Sequence, residues 1–252
     1  MKENKEILVT GRDLKKRSIV AFSIFFIMIL MVIFGWKWLN RQPKDNGIPS
    51  PLRAALNGNE TFFSNYIYST GNFSRVYDPA EAAPKVRVNG DAGVGSNFDP
   101  NKWKLQVIRK EGDTLFVNLN EIKALPQTQV VFDFKCIEGW SQVTHWGGVR
   151  FSDFVKKYNL TTQAAMKYVG LDTPDKEYYV GIDTRSIMHP QTLLCYEMNG
   201  RPLPMDQGFP LRLIIPVKYG IKHLKRIGSI YFSNQKPKDY WYERGYDYYS
   251  GL

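Results

Sequence analysis

Residues 129–140 read QVVFDFKCIEGW. Val130, Phe132, Phe134 and Cys136 fall on one face at a period of two, so this is a half-buried strand that ends at its cysteine. Working outward, Trp103, Leu105 and Val107 alternate with Lys104, Gln106 and Ile108, and Leu115, Val117 and Leu119 repeat the pattern beyond a turn at Glu111, Gly112 and Asp113. A brief helical turn is expected near Leu119–Leu125, ending at Pro126. Past Gly147 and Gly148, Phe151, Phe154, Val155 and Tyr158 recur at helical spacing. Two strands are expected at residues 167–171 and 177–182, and a tight turn at Asn199–Gly200. The apolar run LRLIIPV suits a central strand, and a last strand covers about 226–232, ahead of an aromatic tail. The order of elements favours strands over helices, in a mixed α+β domain.

The 252 residues are 43% hydrophobic, enough to bury a core, and two cysteines cannot staple so long a chain. Formal charge is +10, and from Gln207 to Lys238 there are seven Lys/Arg and no acid. Aromatics do not alternate with these cations as in a base-stacking platform, so the run reads as an anion site and nucleic acid is not an expected partner.

Residues 19–34 read IVAFSIFFIMILMVIF and continue through Gly35, Trp36, Lys37, Trp38 and Leu39. As a helix, 19–39 spans about 30 Å, a hydrocarbon core, with the tryptophans at its interface. No small-x-small cleavage pattern follows, so an uncleaved anchor is expected. Lys2, Lys5, Arg12, Lys15, Lys16 and Arg17 precede it, against Lys37, Arg41 and Lys44 after it. This bias predicts a cytoplasmic tail at 1–18 and an exported body. Residues 40–100 are read as a linker, tethering through Pro43–Pro51, and an irregular portion. Residues 101–252 are read as the core of the exported body.

Cys136, followed by Gly139 and Trp140 and, in the same expected loop, His145 and Trp146, is open to four readings: nucleophile, metal ligand, inert buried thiol, or disulfide with Cys195. His145, His189 and His223 lack zinc-site spacing. Gly90–Gly95 is not followed by a nucleotide-binding helix. In PLRLIIPVKYGIKHLKRIGSI (210–230), Arg212 and Lys218 flank the apolar run, and Lys222, Lys225 and Arg226 surround a Tyr219–Gly220 turn that can aim donors at a phosphate.

Four segments together resemble the sulfite-oxidase type of molybdopterin-dependent oxidoreductase, in particular the catalytic subunit of periplasmic protein-methionine-sulfoxide reductases. They are FKCIEGW with HWGG (134–148), MHPQTLLCYEMNGRPLPMDQGFPLRLIIP (188–216), KYGIKHLKRIGSI (218–230) and WYERGY (241–246). The resemblance implies a strand-rich molybdopterin-binding domain and a molybdenum–molybdopterin cofactor, with Cys136 as the metal's thiolate ligand. It implies cofactor contacts from Thr173, Arg212, His223, Leu224 and Lys225, from Gln207 where the reductase branch has Asn, and from Arg87 and Asn89. His145, Trp146 and Trp140 would shape the substrate pocket, with Cys136, His145 and Trp146 as the catalytic set. The expected activity is two-electron oxygen-atom transfer on a small oxyanion or sulfoxide outside the cytoplasm. Also implied are a monomeric catalytic domain and a haem- or quinone-linked membrane partner. The competing readings are a cysteine acyl-transferase using His145 or His189 as base, and a non-enzymatic anion-binding module.

Overall fold

The computed structural model describes residues 10–95 and 97–251. Of the tail at 1–18, residues 1–9, with Lys2 and Lys5, lie outside the described residues. The chain divides into two compact units, 1–54 and 55–252.

In the first unit, helix α1 (Gly11–Arg41) opens on Thr10, whose side chain accepts the Asp13 N–H, and closes on Arg41, so its charged ends complement the helix dipole. It is long and apolar enough to cross a membrane by length and composition, and none of its residues is buried. It starts eight residues before Ile19, because Leu14, Lys15, Lys16 and Arg17 are good helix formers that extend the apolar segment. The expected tether after it is partly ordered. β1 (Lys44–Asp45) and β2 (Ile48–Pro49) form a hairpin turned by Asn46 and Gly47, both at positive φ, and Arg53 pairs with Asp45 at 3.3 Å.

α2 (Ser50–Phe62) runs on into a single π turn at Phe63–Ile67, where irregular chain was expected. Asn57, Gly58 and Asn59 are weak helix formers at its centre and hide it, while Ser50–Pro51 is a helix-opening pair. Residues 68–95 and 97–104 are irregular apart from two short 3₁₀ turns.

Within the second unit follow β3 (Leu105–Lys110), β4 (Asp113–Val117), α3 (Leu119–Lys123), β5 (Gln127–Lys135) and β6 (Ser141–Arg150). Next come α4 (Phe151–Lys157), β7 (Tyr168–Asp172), β8 (Tyr179–Asp183), α5 (Thr184–Ile187) and β9 (Leu193–Met198). β10 (Arg201–Pro202), β11 (Arg212–Ile214) and β12 (Ser229–Ser233) complete it. One sheet has the order β4-β3-β12-β7-β8, with β12 parallel to β3 and the other pairs antiparallel. The other has the order β10-β9-β6-β5, with β11 also on β9. Alternate residues of β9 and β11 serve two cores. Leu194 and Leu213 join the main cluster with Leu105, Phe154 and Ile230, while Leu193, Cys195 and Ile214 join a second one with Phe132 and Trp146.

Two expectations need correction. LRLIIPV is not a central strand: β11 has three residues and, among the described residues, bonds only β9 as a strand. Pro210 and Pro216, lacking N–H donors, bracket it. Its other side is covered by irregular chain, through Leu213 N–H to Leu224 O at 2.9 Å and Ile227 N–H to Leu211 O at 2.8 Å, which explains its complete burial. Second, His145 and Trp146 lie in strand β6, not in a loop after Cys136. Gly147 and Gly148 look like strand breakers, yet they form a register shift where β9 presses in. A Cβ at Gly148 would stand 2.7 Å from Cys195 Cα. Gly148→Ala is therefore expected to cost about 1–3 kcal/mol as overpacking against backbone, read from denaturant unfolding. A cost near zero would mean that the β6–β9 pair can spread.

Candidate functional site

β5 delivers Cys136 to the edge of a cavity of about 260 Å³. Behind the cysteine the chain reverses in a tight turn, with Cys136 N–H donating to Trp140 O (2.9 Å) and Gly139 N–H to Cys136 O (3.1 Å), and with Gly139 at φ 89°. Beside it, in contact with the cysteine through Asn89, stands the irregular segment 87–92. A third wall is the 220–225 turn, and Tyr240, Trp241 and Tyr246 of the aromatic tail close the fourth. The cavity lining brings together seven expected residues: Arg87, Asn89, Cys136, Trp140, Arg212, His223 and Lys225.

The segment carrying Arg87 and Asn89 is held by side chains reaching out of the core. Asn199 Nδ2 donates to Ala83 O, Gln207 Nε2 to Val86 O and Arg87 O, and Lys225 Nζ to Asn89 O and Gly90 O, the last two both at 2.8 Å. Asn89 Nδ2 in turn donates to Cys136 Sγ at 3.7 Å. Arg87 lies over the Trp140 ring at 4.6 Å.

Arg212 is buried and stacks 4.7 Å from Trp146 and 5.8 Å from Phe134. Its Nη1 donates to Gln207 Oε1 at 2.6 Å, whereas its Nε has no partner. Burial pulls its pKa down to about 10, which leaves it charged at neutral pH. Among the described residues no carboxylate pairs with it. A buried cation beside a cavity, with an orphaned N–H and no counter-charge, suits an anionic ligand, and a thiol at the cavity's edge suits a soft metal. The residues therefore fit a metal-bearing, anionic cofactor. Lys225 is pulled down to about 8 by burial and by Arg212.

His223 Nε2 lies 3.1 Å from Lys218 O, its Nδ1 accepts from Ile215 N–H at 3.5 Å, and its ring packs on Phe132 and Phe134. Burial, then Arg212, push it down to about 3, so it is neutral. The unfolded imidazole titrates near 6.5. Between these values the unfolded chain binds a proton that the folded one does not, so stability falls as pH drops from about 6.5 toward 3. His223→Gln is expected to flatten that fall in acid unfolding of the apoprotein. An unchanged slope would place the acid lability elsewhere.

The other expected residues stand behind the walls. Gln207 supports Arg212 and the 86–87 carbonyls. Thr173 is buried, bonds Asp175 and the Tyr178 backbone, and packs under Gly93. Leu224 is core and accepts from Leu213 N–H. Trp146 is fully buried, donates to Thr144 Oγ1 at 2.7 Å and forms the platform under Arg212. His145 bonds Gln129 Oε1 at 3.1 Å and is not among the lining residues. Cys136 and Cys195 are both free thiols, and burial pushes Cys195 up to about 12. Of the lining, Tyr178, Tyr240, Trp241 and Tyr246 were not expected. The density of aromatics in 240–249 was the available signal.

Residues 92–241 match the family described as the oxidoreductase molybdopterin binding domain. An Azospira oryzae protein, provisionally named protein-methionine-sulfoxide reductase subunit YedZ1, is 37% identical over 210 residues, covering 82% of this chain and 78% of that protein. The protein-methionine-sulfoxide reductase catalytic subunit MsrP of Xanthomonas campestris is 31% identical over 181 residues, 66% of this chain and 52% of that subunit. Rat mitochondrial sulfite oxidase is 28% identical over 181 residues, 61% of this chain and 33% of the oxidase. The chain thus spans about half the length of MsrP. With the cavity, its thiol and its buried cation, these matches place the chain in the oxidoreductase molybdopterin-binding family, as a molybdopterin-dependent oxidoreductase.

Proposed function

We propose that this chain is a membrane-anchored catalytic component that performs two-electron, oxygen-atom-transfer chemistry on a small oxyanion or sulfoxide outside the cytoplasm. The observation that carries this reading is the Cys136 thiol sharing one cavity with Arg212, a buried cation that no carboxylate pairs with among the described residues. In it, Cys136 holds molybdenum. Arg212, Lys225, His223 and Asn89 hold the pterin and its anionic end from the lining, together with Arg87, and Thr173, Gln207 and Leu224 support them from behind. Bound there, the cofactor supplies the two-electron redox couple.

The chain's own residues do the rest. Asn89 orients the cysteine sulfur through its amide N–H, and Gln207 aims Arg212 by fixing Nη1. Trp140, Tyr240, Trp241 and Tyr246 narrow the mouth and limit water, so charges inside act in a low dielectric. Trp146 contributes as the support under Arg212. Neither His145 nor His189, the bases that cysteine acyl transfer would need, lines the cavity. His223 does, but as a neutral ring bonded on both nitrogens.

α1 provides the anchor in this reading, and the basic residues Arg12 to Arg17 keep its start cytoplasmic. Electrons come from a haem- or quinone-linked membrane partner, which the anchor keeps at high effective concentration. The test is molybdenum quantification on the full chain from a molybdenum-competent host, with reduced-dye turnover over a panel of sulfoxides and oxyanions. Stoichiometric molybdenum and turnover of at least one class are expected. Folded protein without molybdenum would overturn the reading.

A further inference from the structure

The body of the protein exposes its large apolar side chains unevenly. Six are exposed in residues 55–76, against five in the whole of 77–251. Four of the six, Phe62, Phe63, Tyr66 and Ile67, recur at i, i+1, i+4 and i+5 and so form one stripe where α2 passes into its π turn. Their rings touch: Phe62 lies 5.6 Å from Phe63 and 5.7 Å from Tyr66. Tyr66 is 76% exposed.

This stripe is mounted firmly. Tyr68 Oη donates to Arg185 O at 2.7 Å, Arg185 Nη1 returns a bond to Ser64 O at 3.1 Å, and Glu60 is paired with Lys236. Farther on, Gln191 clamps both the N–H and the carbonyl of Ser74, which fixes the exposed Phe73 beside it. Glu60 and Arg75 are the only charged residues of 55–76, and Glu60 is already neutralised. The charge beside the stripe is therefore cationic, with Arg185 bonded to Ser64 O and lying over the Tyr68 ring.

We propose that this stripe rests in the interfacial layer of the membrane that α1 crosses, and so seats the catalytic domain on lipid. The proposal relies on the reading of α1 as an anchor. Eight residues separate α1 from α2, at most about 27 Å of extended chain, and α2 adds about 20 Å. The stripe is thus held within reach of a bilayer at all times, at high effective concentration. Phenylalanine, tyrosine and isoleucine on one face with a basic margin and no free acid is the composition that partitions into an anionic interface.

The test uses the full chain in nanodiscs of phosphatidylglycerol and phosphatidylcholine, carrying a nitroxide at Tyr66→Cys, Phe116→Cys or Ile29→Cys. The parent chain reports any background from the buried Cys136 and Cys195. Depth is read as the ratio of collisions with oxygen to collisions with a water-soluble nickel chelate. A ratio at 66 several-fold above that at 116, and below that at 29, is expected. Adding Phe62→Ser and Phe63→Ser should return it to the value at 116. A ratio at 66 equal to that at 116, with 29 deep in the bilayer, overturns the seat and leaves the anchor standing. A water-exposed 29 overturns the anchor, and the seat with it. Shielding of 66 from both reagents indicates a protein contact and also overturns the proposal.

Discussion

Arg212→Met is expected to lower cofactor retention by about 30-fold to about 5,000-fold while leaving the apoprotein as stable as the parent within about 1 kcal/mol. The two effects have opposite origins. In the apoprotein the guanidinium is buried, its charge uncompensated by any carboxylate among the described residues, at a desolvation cost of several kcal/mol. A methionine of similar volume removes that cost and still packs on Trp146 and Phe134. Against this gain, Gln207 Oε1 loses its 2.6 Å donor, a penalty of about 1–3 kcal/mol for an orphaned acceptor. With an anionic ligand present, the same change deletes a charge-assisted contact worth about 2–5 kcal/mol, at about 1.4 kcal/mol per decade of affinity. Pterin per folded protein after gel filtration, with the unfolding midpoint of the cofactor-free form, separates the two. Unchanged retention would make Arg212 a structural cation only.

Cys136→Ala is expected to reduce molybdenum-dependent turnover by at least about 100-fold, beyond what loss of an outer-shell partner costs, with the fold intact. The side chain is buried but belongs to neither core cluster, so it contributes little packing, and the turn behind it is held by backbone bonds that alanine keeps. Pterin should be retained to a large extent, because Arg212 and Lys225 are untouched and the 87–92 segment loses only the Asn89 contact to the sulfur. Turnover with a reduced dye, circular dichroism and bound pterin together check this. Activity within a factor of a few of the parent would remove the thiol from the reaction.

The site was readable where chemistry and period coincide. Cys136 announces itself at the end of a run with period two, and the acid-free stretch 207–238 marks Arg212, His223 and Lys225. β6 was hidden because Gly147 and Gly148 carry no side-chain pattern, their job being to let β9 approach. β11 looked longer than it is because apolar residues outside the ladder, such as Ile215, are buried by irregular chain. The wall bearing Arg87 and Asn89 left no periodic trace at all. It has no ladder of its own and is fastened from afar, by Gln142 on β6 and by Asn199, Gln207 and Lys225 still farther along the chain. The aromatic tail was visible as composition, but nothing in its spacing said that it faces a cavity.

β12 stands between two hairpins made long before it, β3–β4 and β7–β8, and joins them by lying parallel to the first and antiparallel to the second. At a ribosomal pace of about 5–20 residues per second, roughly ten seconds pass between the birth of β3 and that of β12. The β3–β4 ribbon through that interval, and the β7–β8 ribbon through roughly its last third, present a raw edge able to template pairing with another chain. Whatever escorts the newborn polypeptide must shield those edges until one late strand closes the seam.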